Sequence, residues 1–189
     1  MESITAIAAR NKGKLELENL EKYKLLGKGG DGAVFQICHN KCVKIFWIEK
    51  TQKLELKALK KGQSSPIIPR LYEYGSNYIV MEYINGYNLK KYLKKKKRFS
   101  DSKIKQILYM LSEFKRIGFL RHDTEVRHIY FNEKGEVKVI DHKRAFTTDR
   151  TYPMKLISGL EKLGYAEEFL QGVKQISPTI FNEWAKYYQ

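Results

Sequence analysis

Residues 23–48, YKLLGKGGDGAVFQICHNKCVKIFWI, constrain this chain more than any other stretch. Three β-rich runs, YKLLG (23–27), AVFQIC (33–38) and KCVKIFWI (41–48), are separated by short turn-forming segments. They predict a three-stranded antiparallel meander. The first turn carries Gly27, Gly29, Gly30 and Gly32, with Val34 just beyond, and Lys44 follows between Val43 and Ile45. Glycines at this spacing let bare backbone N–H groups approach phosphate oxygens, and a lysine on the next strand adds positive charge. An ordinary hairpin also uses Gly-Asp-Gly, so the loop by itself leaves both readings open.

At 189 residues the chain suits one domain or two small lobes sharing a cleft, and 42% apolar content supports a real core. Thirteen Tyr and nine Phe argue against disorder. No apolar run reaches the roughly 18–20 residues of a membrane span, so no membrane partner is expected. The start, MESITAIAARNKGK, does not read as a secretory leader, and the expected location is the cytoplasm. Cys38 and Cys42 are expected to be two reduced, mostly buried thiols, because a metal site needs more ligands. Net charge is +15, and residues 90–98, KKYLKKKKR, hold seven basic side chains and no acid. That run is either a solvated helix end or a docking surface for an acidic or nucleic-acid partner.

Beyond the meander, residues 49–61 read as a helix, and RLYEYG (70–75) and NYIVMEYI (77–84) as two more strands. Asn85-Gly86 breaks the pattern. A helix capped by Ser100 or Asp101 runs to Ile117, with Ile104, Ile107, Leu108, Leu111 and Phe114 at helical spacing. HIYF (128–131) and VKVI (137–140) form a short hairpin, and helical stretches follow around 154–163, 165–175 and 178–188. Asp123 precedes this hairpin and Asp141 follows it, so antiparallel pairing returns the two carboxylates toward each other. They read either as a functional pair or as turn-capping aspartates.

Taken in order, these elements resemble the protein kinase family over residues 23–146. LGKGGDGAVF resembles its glycine loop and CVKIF the strand with its phosphate-positioning lysine. Glu55 resembles the helix glutamate, and VMEYINGYNL a hinge with Met81 at the gatekeeper position. RHDTEVRHIYF resembles the catalytic loop and VKVIDHKRAF the metal-binding segment. The resemblance implies an α+β, bilobal protein kinase-like fold with a five-stranded antiparallel N-lobe sheet and a truncated, RIO-like helical C-lobe. It divides the chain into an N-terminal extension (1–20), an N-lobe (21–86) and a C-lobe (87–189).

The implied activity is ATP-dependent phosphoryl transfer to a Ser or Thr hydroxyl of a protein. Backbone groups around Gly27, Gly29, Gly30 and Gly32, with Val34, cover ATP. Lys44 binds its phosphates, held by Glu55. Glu82 and Ile84 meet the adenine and Asn88 the ribose. Asp141 holds Mg²⁺, and Asp123 accepts the hydroxyl proton. The chain departs from the pattern in four places. Arg121-His122 reverses the usual order, and Glu125 stands where a lysine is common. His128 replaces a metal-binding asparagine, which suits Mn²⁺ better than Mg²⁺. His142-Lys143 follows Asp141 in place of Phe-Gly. These departures keep two alternatives open: a pseudokinase or nucleotide-gated binding module, and a kinase or ATPase within an RNA-modifying assembly. Thr147, Thr148 and Thr151 are candidate phosphorylation sites.

Overall fold

The computed structural model describes residues 4–147 and 149–187, so Thr148 and Tyr188 lie outside the described residues. The fold is α+β and divides into two compact units. One runs to Asn85 and takes in Asp141–Arg144; the other comprises Gly86–Ile140 and the chain from Ala145 onward.

The first unit is built on an antiparallel five-stranded sheet of order β1-β2-β3-β5-β4. Its strands are β1 (Lys24–Gly29), β2 (Gly32–Gln36), β3 (Lys41–Phe46), β4 (Leu71–Tyr74) and β5 (Tyr78–Glu82). Side chains alternate between faces along a strand. Val43 and Ile45 of β3 therefore join Ala33, Phe35, Tyr78 and Val80 in one buried cluster. That cluster is completed by Ile4, Ile7 and Ala8 of α1 (Ile4–Arg10) and by Leu15 and Leu20. Residues 4–20, expected as an extension, thus contribute Ile4, Ile7, Ala8, Leu15 and Leu20 to the core of this unit. Polar contacts hold them there: Asn77 accepts from the Leu15 N–H at 2.9 Å and donates to the Leu15 carbonyl at 2.8 Å. The sheet also packs against α2 (Glu49–Gly62), which buries Gln52, Glu55, Ala58 and Leu59 at helical spacing.

Cys42 is buried, and burial pushes its thiol up to about 12. Cys38, expected to be mostly buried, is exposed. β2 ends at Gln36, so Cys38 lies in the turn that follows, where its thiol donates to Asn40 Oδ1 at 3.1 Å.

The second unit carries a small antiparallel sheet, β6 (Gly86–Asn88), β7 (Ile129–Asn132) and β8 (Val137–Val139), in that order. Gly86, read from sequence as a break, belongs to β6, and its bare Cα lets β6 approach β7. A Cβ there would stand 2.0 Å from the Phe131 carbonyl oxygen. Among the described residues five helices accompany the sheet: α3 (Leu89–Lys96), α4 (Asp101–Arg116), α5 (Met154–Glu161), α6 (Ala166–Ile176) and α7 (Pro178–Ala185). α6 crosses α4 closely enough that a Cβ on Gly172 would stand 2.2 Å from Ile104 Cδ1. Phe169 of α6 packs against Phe99 and Trp184, with ring centroids 5.3 and 6.2 Å away. Among the described residues no helix is long and apolar enough to cross a membrane.

The loop glycines divide by physical role. A Cβ on Gly32 would stand 1.9 Å from the Ile45 carbonyl oxygen, whereas Gly27, Gly29 and Gly30 have open space. Gly32→Ala is expected to cost about 3 kcal/mol, the upper end for overpacking. Gly29→Ala should change stability by no more than about 1 kcal/mol. Urea unfolding checks this, and equal midpoints for the two variants would refute it.

Candidate functional site

Lys44 sits in mid-strand on β3, opposite Val34 of β2 and Ile79 of β5. Alternation turns it to the face opposite Val43 and Ile45, where Glu55 of α2 meets it. Lys44 Nζ lies 2.6 Å from Glu55 Oε2, with the side chains 11% and 2% exposed. The ammonium also stands 4.6 Å from the centre of the Phe46 ring. Burial holds the Glu55 carboxyl above its usual range; the Lys44 charge opposes this, while the negative charge of Asp141 adds to it. A raised carboxyl favours folding below its ordinary value near 4.5, and that contribution fades as pH rises through the folded value.

Asp141 opens the Asp141–Arg144 segment that belongs to the first unit. Its backbone is left-handed, with φ at 65°, a conformation that Asp tolerates better than most residues. Its Oδ1 is a buried, hard carboxylate oxygen. Mg²⁺ is commonly bound by one or two carboxylates together with substrate phosphates rather than by an all-protein cage. A carboxylate in the same unit as Lys44 and the glycine turn fits that donor set. Among the described residues no group of three or more His, Cys, Asp or Glu is arranged to hold a metal.

The glycine turn is anchored within the same unit. The Trp47 indole N–H donates to the Gly29 carbonyl at 2.9 Å, and the Trp47 backbone N–H to the Asp31 carbonyl at 3.1 Å. Lys143 Nζ donates to Asp31 Oδ2. That bond, chiefly, holds the Asp31 carboxyl below its usual range; charges on Lys143, Lys44 and Arg144 act the same way, and partial burial opposes them. Met81 is buried. The Glu82 N–H bonds the Arg70 carbonyl at 2.8 Å, and its own carbonyl accepts the Cys42 thiol at 3.6 Å. Ile84 is buried just beyond β5.

In the second unit, Asn88 is the N-cap of α3, its Oδ1 accepting from the Lys91 N–H at 2.9 Å. Asp123 is enclosed, its side chain 0% exposed. Its Oδ1 accepts the Lys155 backbone N–H at 2.7 Å, meeting a first-turn donor of α5 that Pro153 at the N-cap cannot serve. Its Oδ2 lies 3.5 Å from Arg121 Nη2 and 3.4 Å from Arg150 Nη1. The reversed Arg121-His122 order has a local consequence here. Arg121 Nε donates to the Asp123 carbonyl at 3.1 Å and its Nη2 reaches the carboxylate, while His122 Nε2 lies 2.9 Å from the Phe119 carbonyl. Glu125 pairs with Lys155 at 2.9 Å and Arg127 at 2.8 Å. The hydrogen bond from Lys155 is the main cause of a carboxyl held below its usual range. The His128 N–H bonds the Glu125 carbonyl at 2.9 Å.

Lys44 and Glu55 are therefore in direct contact, and the Asp141 charge acts on Glu55 within the same unit. Gly27, Gly29, Gly30, Gly32, Val34, Met81, Glu82 and Ile84 share that unit, while Asn88, Asp123 and His128 belong to the other. Asp31, Arg150 and Lys155 were given no role in the sequence reading, and Lys143 was noted only as a departure after Asp141. Asp31 lay inside the turn signal itself, but no spacing linked it to Lys143, 112 residues away.

No protein-family model matches the chain. It is similar to proteins named as kinases. It is 33% identical over 132 residues to the Bacillus subtilis (strain 168) protein named "Putative serine/threonine-protein kinase YrzF", covering 67% of this chain and 61% of that one. Two Arabidopsis thaliana proteins are each 28% identical. Mitogen-activated protein kinase kinase 2 aligns over 68% of this chain and 40% of its own length. Mitogen-activated protein kinase kinase 10 aligns over 66% and 46%. The chain thus spans about three fifths of the Bacillus relative and less than half of each plant relative.

Replacing Lys44 by Met leaves a buried carboxyl without its cation. The variant should lose about 3–5 kcal/mol near neutral pH. The loss should shrink as pH falls and Glu55 takes up a proton. Urea midpoints at pH 8 and pH 5 check this, and an identical deficit at both would exclude a buried charge pair.

Proposed function

We propose that the chain is an ATP-dependent kinase that transfers the γ-phosphoryl group to a Ser or Thr hydroxyl of a protein. The observation that carries this reading is the buried Lys44–Glu55 pair, with the Asp141 charge acting on Glu55. Phosphoryl transfer needs positioned charge more than covalent help. Glu55 fixes the Lys44 ammonium so that it can neutralise phosphate oxygens. Gly27, Gly29 and Gly30, with open space at their Cα atoms, leave backbone N–H groups approachable by a phosphate chain. Asp141 would hold Mg²⁺, which would neutralise charge shared between the β- and γ-phosphates. The substrate hydroxyl oxygen forms the new bond to phosphorus, the bond to the ADP oxygen breaks, and Asp123 takes the hydroxyl proton. Glu82 and Ile84 would offer main-chain groups to adenine. The relatives' names support the kinase class, and the Ser/Thr assignment extends the Bacillus protein's name to this chain.

A second reading, a nucleotide-binding module that does not transfer phosphate, is favoured by one observation. The Asp123 carboxylate is occupied by Arg121, Arg150 and the start of α5. A base must be within reach of the proton it takes, so Asp123 would have to be released before acting. Radiolabelled ATP with Mg²⁺ or Mn²⁺ separates the readings. Under the kinase reading, label reaches protein and falls about a hundredfold or more in Asp141→Ala. A nucleotide-dependent rise in melting temperature without label supports the binding module, and neither signal would sink both.

The basic run lies on α3, anchored by Leu89 and Leu93, with Lys90, Lys91, Lys94, Lys95 and Lys96 exposed. Like charges at i,i+4, Lys90 with Lys94 and Lys91 with Lys95, cost about 0.2–0.5 kcal/mol each. No acid lies between Glu82 and Asp101 to offset them. This helix suits a nucleic-acid phosphate backbone. Changing Lys94–Lys97 to Gln should weaken binding of single-stranded RNA and lower its log–log salt slope by about 2–3. An unchanged slope in fluorescence anisotropy would exclude this face.

A further inference from the structure

The glycine turn carries its own anion. Asp31, at the tip between β1 and β2, accepts from Lys143, which lies two residues past Asp141. The carboxylate also feels the charges of Lys44 and Arg144. Three cations drawn from β3 and from the Asp141–Arg144 segment thus act on one point, and all belong to the same compact unit. The occupant of that point is a protein carboxylate.

The pair is open to exchange. The Asp31 and Lys143 side chains are 36% and 23% exposed. A partly exposed Lys–Asp pair contributes little to stability and gives way readily to a stronger anion. A terminal phosphate is such an anion: it carries up to two charges and three acceptor oxygens, against one charge and two oxygens for a carboxylate. The turn itself stays anchored by main-chain atoms, through Trp47 to the Gly29 and Asp31 carbonyls, so the Asp31 side chain can leave without the turn unfolding.

We propose that Lys143 is a binding residue for the terminal phosphate of a nucleoside triphosphate, and that Asp31 is a built-in competitor holding that position when no nucleotide is bound. The inference rests on the nucleotide reading above. It supplies a cation for the γ-phosphate in a chain whose residue 125 is glutamate. It also gives the glycine turn two states: latched by its own carboxylate, or opened by a phosphate that displaces it.

Equilibrium binding of ATP and ADP, followed by isothermal titration calorimetry on the full chain, tests this with Asp31→Asn, Lys143→Gln and the double variant. Melting temperatures confirm that each is folded. Asp31→Asn should tighten ATP binding by about threefold to fivefold, the range that a surface ion pair can withhold, and leave ADP unchanged. Lys143→Gln should weaken ATP at least as much, again sparing ADP. The gain from Asp31→Asn should vanish when Lys143 is already Gln. Should Lys143→Gln fail to fold, Asp31→Asn decides the matter by itself. Wild type that binds ATP as tightly as Asp31→Asn overturns the latch and leaves the nucleotide reading standing. An equal gain for ADP removes the terminal phosphate from the proposal. No binding of either nucleotide to wild type or to Asp31→Asn overturns both readings together.

Discussion

The first unit is organised around a charge that its core must accommodate. Lys44 is the mid-strand residue of β3, with β2 on one side and β5 on the other, and its side chain is only 11% exposed. An isolated ammonium there would be costly. Glu55 removes most of that cost, which fixes which turn of α2 faces β3 and therefore which α2 residues are buried. A buried ion pair of this kind is weak evidence for stability, since an apolar pair of similar volume often does as well. Under the proposed kinase reading, its presence is explained by what a fixed ammonium does for a phosphate.

The second unit handles charge differently. Asp123 is enclosed and shares its carboxylate among two guanidinium groups and the backbone of α5. This ties three pieces of chain together: the segment before β7, the stretch around Arg150, and the start of α5. One carboxylate thus performs the structural task of a helix cap while standing at the position where the kinase resemblance puts a base. Glu125 and Lys155 form a further pair beside it. Under the proposed kinase reading, activity turns on release of Asp123 from its arginines.

Much of the fold was legible because it follows local periodicity. The strands of the large sheet, α2, α4 and the three C-terminal helices fall within a few residues of where alternation, helical spacing and proline placed them. The misses have non-local causes. Gly86 was read as a break because strand and turn glycines look alike until a partner strand is in view. Cys38 was assigned to the interior as an ordinary reduced thiol, but the pairing of β2 stops at Gln36 and leaves it in an exposed turn. Residues 4–20 gave no sign that their apolar side chains complete a sheet face, since the residues they meet lie as far away as Val80.

The sequence by itself determined the order of elements and singled out Lys44, Glu55, Asp123 and Asp141 as candidates, because glycine, lysine and carboxylate spacing are local signals. Tertiary structure decided what each residue touches. Asp123 meets partners 27 and 32 residues later, and Asp31 meets Lys143 across 112 residues. It also decided that Asp141–Arg144 joins the unit of the glycine turn rather than that of its sequence neighbours. Such pairings are set by which surfaces the packed sheets and helices bring together, and a linear pattern of residue types carries no record of them.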